Sequence, residues 1–274
     1  MTQIQPEIGF IGFFDILGYS QIMLNNNIHK TAQFVSDTLI NIPQQLIGRL
    51  RDLDTDMNDA DGPCRRPYDA EEWRCMLDKI QWIIFSDSIL ISMPMNPDLD
   101  TLSQTNLYLA FSTVCATLLN QTFLAGFPIR GGISLGEFFV EDRCFAGRPI
   151  INAYRVAQEL EMSGCVLDES ADAFVSDLRR ELVQNQHVEA LARLDQTTIL
   201  YLAPTKQGED ERFRAINWVT LNSPGWQPLC DNVRDTTMRA FLMHNKIAVP
   251  SVHGKINNTE MFIRHVLTNL AEKE

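Results

Sequence analysis

Asp15 follows a nearly continuous apolar run, Ile8 to Phe14, and precedes Ile16-Leu17-Gly18-Tyr19-Ser20. A carboxylate closing a strand that is buried on both faces is costly unless it meets a cation, a donor or water. Gly18 permits a tight turn and a close backbone approach to a ligand, and a helix start is expected near Ser20. Strand, acid, glycine turn and helix start, in that order, suit a metal held beside a polyphosphate. A local turn bond at an ordinary strand end is the plainer alternative. A second acid, Asp87, lies at the expected tip of a hairpin, between Ser86 and Ser88. Brought together, two carboxylates repel unless a divalent cation lies between them. Removing either is then expected to leave the metal-free protein as stable as before, or more so.

Other chemistries fit less well. Gly132-Ile133-Ser134-Leu135-Gly136 matches the nucleophile elbow in wording, but an elbow needs a helix directly after its serine. Here Glu137-Phe138-Phe139-Val140 continues as strand. Gly131 and Gly132 are better read as a bulge or a close backbone approach. Asp59, Asp61, Asp69, Glu71 and Glu72 lack the ligand order of a calcium loop. His244, His253 and His265 share no metal-ligand spacing. The six cysteines (64, 75, 115, 144, 165 and 230) are scattered, as in a protein with reduced thiols. Arg148 and Arg155 fall near one face of an expected helix, where a solvated charge is the plainer reading.

The elements that must position the acids follow from periodicity. A helix is expected over 28–53, kinked or divided at Pro43. A surface insertion follows over 52–72, with Trp73 marking the return to structure. Both arms of the hairpin over 79–95 are nearly all apolar and are expected in the middle of a covered sheet. A helix over 99–123, a strand over 127–140, a helix over 147–161, a short strand over 165–167 and a helix over 170–194 come next. A second hairpin (197–203 and 213–221) and two helices (231–245 and 257–271) complete the chain.

The chain has 274 residues, 45% of them hydrophobic and 21% charged, as expected of an ordinary globular protein. No linker divides it, so a single domain over 1–274 is expected. A net charge of −12 argues against a nucleic-acid groove, but not against a nucleotide screened by metal ions. No apolar run reaches the roughly 18 residues of a spanning helix. The first residues lack the pattern of a signal peptide. A cytoplasmic protein without membrane contact is expected.

Three separated segments, in order, resemble the class III nucleotidyl cyclases. Phe14-Asp15-Ile16-Leu17-Gly18-Tyr19-Ser20 resembles the first-strand motif of that family. Phe85-Ser86-Asp87-Ser88 is similar to its hairpin tip. Arg130-Gly131-Gly132-Ile133-Ser134-Leu135-Gly136-Glu137, followed by Gly147 and the helix with Asn152-Ala153-Tyr154-Arg155, is similar to its later strand and helix. These segments lie within 8–168. The resemblance implies an α/β (α+β) sandwich with a βααββαβ core, a mostly antiparallel central sheet and C-terminal helices. It also implies a homodimer with shared active sites. Asp15 and Asp87 would bind two divalent ions, Mn2+ or Mg2+, with the Ile16 carbonyl as a further ligand. Leu17, Gly18, Tyr19 and Ser20 would cradle the phosphates with their backbone, and Arg155 would stabilise the transition state from the partner subunit.

The departures concern the base. Ile83 and Cys144 stand at the two base-reading positions, where the purine cyclases carry polar groups, and Ile151 replaces an expected asparagine. Apolar groups cannot satisfy a purine edge. With the Gly-Gly-Ile-Ser-x-Gly-Glu wording, these departures resemble the pyrimidine cyclases of bacterial antiphage (Pycsar) systems. That implies UTP converted to cyclic UMP, with CTP to cyclic CMP as the alternative, and a separate effector that senses the product. A catalytically silent nucleotide-binding protein of the same fold is the competing expectation.

Overall fold

The computed structural model describes residues 6–56, 70–141, 144–208, 210–220 and 232–271. The first strand, β1 (Glu7–Ile16), carries alternating aromatic residues to opposite faces. Phe10 and Phe14 point to the face covered by a long helix, α5 (Thr101–Leu124), where the Phe10 ring lies 5.6 Å from Tyr108 and 5.4 Å from Phe111. Ile11, Phe13 and Asp15 therefore take the other face. The following turn leads into α1 (Tyr19–Asn25) and α2 (Ile28–Phe34). A π-helical segment, Val35–Ile40, then joins α2 to α3 (Asn41–Asp56).

The expected break at Pro43 is this π segment, a turn earlier than the proline itself. Proline has no N–H for the residue four back and its ring crowds that carbonyl, so the preceding turn widens instead of ending. The insertion is shorter than expected. Helix α3 runs to Asp56 and α4 (Ala70–Asp78) begins before Trp73, whose indole donates to the Leu50 carbonyl at 2.8 Å. Asp59, Asp61 and Asp69 lie outside the described residues.

Next come the hairpin β2 (Gln81–Phe85) and β3 (Ser88–Pro94), helix α5, and β4 (Ile129–Glu141) with its short return strand β5 (Cys144–Gly147). Helix α6 (Arg148–Glu159) crosses over to β6 (Gly164–Leu167). The helix expected over 170–194 is two, α7 (Glu169–Gln184) and α8 (Val188–Thr197). The hairpin β7 (Thr198–Pro204) and β8 (Asp210–Ile216), then α9 (Val233–Leu242) and α10 (Pro250–Ala271), complete the order.

The strands form one sheet in the order β2-β3-β1-β4-β6-β8-β7, with β5 paired to β4. Among the described residues every pairing is antiparallel except β4 with β6, which α6 joins by a crossover. This is the α/β architecture with a mostly antiparallel sheet that the sequence predicts. One expectation fails: β2 is at the edge of the sheet, not in its middle. Its apolar residues split instead between the two faces, Trp82 and Ile84 against the main core and Ile83 and Phe85 on the side of Asp15.

Against the expectation that no stretch reaches the length of a spanning helix, α5 is long and apolar enough by length and composition to cross a membrane, yet 83% of its apolar stretch is buried inside the fold. It is the core helix, apolar around its circumference because sheet and helices surround it. One buried cluster runs from Phe10 to Val266 on this side. The opposite face of β1 and β4 holds a small cluster of Ile11, Phe138 and Ala153, with Phe13, Leu90, Val140, Phe145 and Ile150 half-buried around it. Helix α6 seats there because Gly132 has no side chain. A Cβ at Gly132 would stand 2.3 Å from the Ala153 carbonyl oxygen. No bulge is needed, since the β1–β4 register is unbroken.

Candidate active site

The register of the sheet fixes the site. Asp15 lies opposite Ser88 on β3 and Arg130 on β4. Just beyond, the Ile16 N–H donates to the Asp87 carbonyl at 3.0 Å. The two acids far apart in sequence are thus neighbours, one on β1 and one at the hairpin tip. Gly18 follows with φ of 80°, the left-handed conformation a turn into α1 requires. Tyr19 leans on the same tip. Burial and then the Asp87 charge raise its phenol pKa, against a hydrogen bond with Ser86. The N–H groups of the first helical turn have no partner within a helix. Leu17, ahead of that turn, donates its N–H to the Pro128 carbonyl at 2.9 Å, whereas the Gly18, Tyr19 and Ser20 N–H groups form no hydrogen bond among the described residues.

Asp15 does not face Asp87 in simple repulsion. Its Oδ2 accepts from Arg130 Nε at 3.0 Å, Arg130 Nη2 at 2.9 Å and Gln158 Nε2 at 3.2 Å. Arg130 also donates through Nη2 to Gln158 Oε1 at 2.6 Å and through Nη1 to the carbonyls of Gln158 and Leu160, at 3.0 and 3.4 Å. Those carbonyls end α6, where a cation complements the helix dipole. This overturns the expected stability of the metal-free protein without Asp15, because the acid is already half of a largely buried ion pair.

What remains uncommitted is Asp15 Oδ1 and the Asp87 carboxylate, for neither of which any hydrogen bond or ion pair is formed among the described residues. Hard oxygen donors of this kind fit Mg2+ or Mn2+. Among the described residues no group of three or more His, Cys, Asp and Glu side chains comes together. Backbone and substrate oxygens would have to complete any metal shell.

The remaining expected residues divide. Ile83 lies opposite Leu90, and Leu90 opposite Phe13, so Ile83 is on the Asp15 face of the sheet. Arg155 is exposed on α6, one turn before Gln158, and holds no acid among the described residues. Cys144 is not brought to the site within one chain. It pairs with Glu141, nine residues along β4 from the Gly132 that shares a row with Ile83, or about 30 Å of strand.

Gln158 and Lys246 have no expected role in the sequence, and Arg130 enters there as part of the motif and as a stand-in for Arg155, not as the partner of Asp15. For Arg130 the signal was present, since an arginine in a strand beside an acid-bearing strand needs a buried partner. Lys246 is 7% exposed and backs the Gly18 turn. A cavity of about 120 Å³ lies there, lined by Leu17, Gly18, Gln21, Lys246 and Lys255 among others. Lys246 Nζ donates to the Gly126 and Ala240 carbonyls at 2.6 and 3.0 Å, and burial pulls its pKa down to about 7. A neutral amine has two N–H groups for these two acceptors. Beside it His244 sits between Phe34 and Phe127, each ring centre 4.4 Å away, with Nε2 2.7 Å from the Ala125 carbonyl. That nitrogen carries the hydrogen, since a carbonyl only accepts.

No family model matches the chain, and no curated protein matches it. Solved structures similar to it include the adenylyl cyclase CyaB from P. aeruginosa, at 11% identity and a TM-score of 0.40, over 78% of this chain and 96% of that one. The catalytic core of a rhodopsin-guanylyl cyclase with converted specificity, in complex with ATPalphaS, is similar at 8% identity and a TM-score of 0.38, over 78% and 98%.

Proposed function

We propose that this chain is a metal-dependent nucleotidyl cyclase acting on a pyrimidine nucleoside triphosphate, UTP before CTP, as a homodimer with shared sites. The observation that carries the reading is the meeting of Asp15 and Asp87 at the end of β1, each with an uncommitted carboxylate oxygen, beside the Gly18 turn. In the reaction the ribose 3′-oxygen bonds to the α-phosphorus, the bond from that phosphorus to pyrophosphate breaks, and the hydroxyl proton leaves to solvent. Two divalent ions on Asp15, Asp87 and the Ile16 carbonyl would supply charge neutralisation and activation of that hydroxyl. The chain's own part is positioning. Arg130 and Gln158 hold Asp15 in one rotamer, and the amides of Gly18, Tyr19 and Ser20 face the phosphates. Arg155 of a second copy meets the developing charge. Ile83 supports a pyrimidine substrate because it offers a purine edge no partner. Cys144 can join such a site only from the second copy. The cyclic product would serve as a messenger for a separate effector.

Purified protein incubated with each of four nucleoside triphosphates and Mn2+, its products identified by mass spectrometry, tests the reaction. Cyclic UMP or cyclic CMP is expected, and no cyclic product from any substrate would end the claim. Two observations favour the silent alternative: Ile151 in place of the asparagine that the resemblance implies, and the ion pair that Asp15 already makes with Arg130. The shared site has its own test. Arg155→Ala is expected to cost about 3–5 decades in kcat. Mixed with Asp15→Ala protein, it should recover about a quarter of wild-type turnover, because half the dimers then hold one intact site of two. Recovery no greater than the sum of the two mutants, despite subunit exchange, removes Arg155 from the role.

A further inference from the structure

We propose that Phe85 is the platform on which the substrate's nucleobase stacks. This deepens the nucleotide reading above and rests on it. Phe85 ends the edge strand β2 and is 78% exposed, with no ring contact among the described residues. A phenyl ring held in water at the rim of a site gives up free energy that covering it would regain. Its place is set by register. Asp15 lies opposite Ser88, and Ser88 opposite Phe85, so one row crosses three strands. Side chains of a row share a face, and Phe85 stands two strand spacings, about 10 Å, from Asp15. An acid that serves the phosphates and a ring that takes the base would be separated by about the length of a nucleotide.

The neighbouring side chains favour a flat apolar ligand in that place. Ile83, two residues before Phe85, lies on the same face, while Trp82 and Ile84 turn into the core. No charged side chain of β2 stands in the row. A ring stacks on the face of a base and reads none of its edge. Phe85 therefore supplies affinity, and the discrimination between bases falls to other groups.

The test uses the full chain with α,β-methylene-UTP, whose bond to the leaving group cannot break, and Mn2+. Dissociation constants are measured by calorimetry for wild type, Phe85→Leu, Phe85→Ala and Phe85→Trp. Phe85→Ala should weaken binding about 5- to 150-fold, the usual worth of one base stacked on an aromatic ring. Phe85→Leu should fall between, and Phe85→Trp should bind as wild type does, with its added fluorescence quenched by the base. Mn2+ affinity without nucleotide, read by the electron paramagnetic resonance of the free ion, should not move. Unchanged binding by Phe85→Ala overturns the platform and leaves the cyclase reading intact. Loss of binding that tracks loss of the dimer, seen as a halved mass by light scattering, assigns Phe85 to subunit contact and overturns it too. A wild type that binds Mn2+ but no nucleotide sinks the functional reading, and the platform with it.

Discussion

Every N–H of the Arg130 guanidinium is engaged: Nε and one from Nη2 by Asp15, the other from Nη2 by Gln158 Oε1, and both from Nη1 by the carbonyls that end α6. The two acids therefore differ in the metal-free protein. Asp15→Ala strands a largely buried guanidinium and is expected to cost about 3 kcal/mol. Asp87→Ala, which breaks no hydrogen bond among the described residues, should stay within about 0.5 kcal/mol of wild type. Urea denaturation without metal checks both, and equal losses would mean that the ion pair does not form. Lys246 gives a pH test. Burial lowers its folded pKa to about 7 from an ordinary 10.5. Below pH 7 it is charged folded and unfolded, and the full cost of burial is felt; above 10.5 it is neutral in both. Between these limits the unfolded chain binds the extra proton, so stability rises with pH, by up to about 1.4 kcal/mol per unit. Lys246→Met should flatten that rise in denaturation series from pH 7 to 10. The acids were legible in the sequence because a carboxylate ending an apolar strand is conspicuous. Lys246 was not, since nothing local in a loop 228 residues after Gly18 says what it touches.

At the scale of elements, the break between α7 and α8 has a sequence cause that periodicity hides. Gln186 takes φ of 58°, its N–H donates to the Val183 carbonyl at 3.2 Å, and the His187 N–H donates to that of Leu182 at 2.9 Å. This is the Schellman ending, with glutamine where glycine is usual, so the apolar stripe passes unbroken through the turn. Gln186→Gly removes a Cβ from left-handed backbone and should raise stability by about 1 kcal/mol. Thermal denaturation reads it, and a lower melting temperature would contradict the strain. Strand β2 shows the converse limit. An all-apolar strand can be buried on both faces or can sit at an edge with one face reserved for a ligand, and composition alone does not separate the two. The helix start beside Gly18 was legible because a left-handed turn there has a residue made for it. The β5 return strand was not, since four residues carry little pattern.

The whole molecule is unevenly covered. The face of the sheet toward α5 carries the main core, whereas the face toward α6 leaves Phe13, Leu90 and Phe145 half-buried. Ile151 and Tyr154 on α6 are 51% and 47% exposed. A second copy seated there would bring its own Arg155 and would bury these side chains, although two chains of net charge −12 repel at low salt. That geometry carries a thermal consequence. Water released from apolar surface gives association a negative heat-capacity change, and the attraction weakens on cooling. The pair should therefore be cold-labile. Sedimentation of dilute protein at about 4 °C and again near 25 °C should show mass shifting from two copies toward one on chilling. Turnover lost in the cold should return on warming, with the same lag as reassembly.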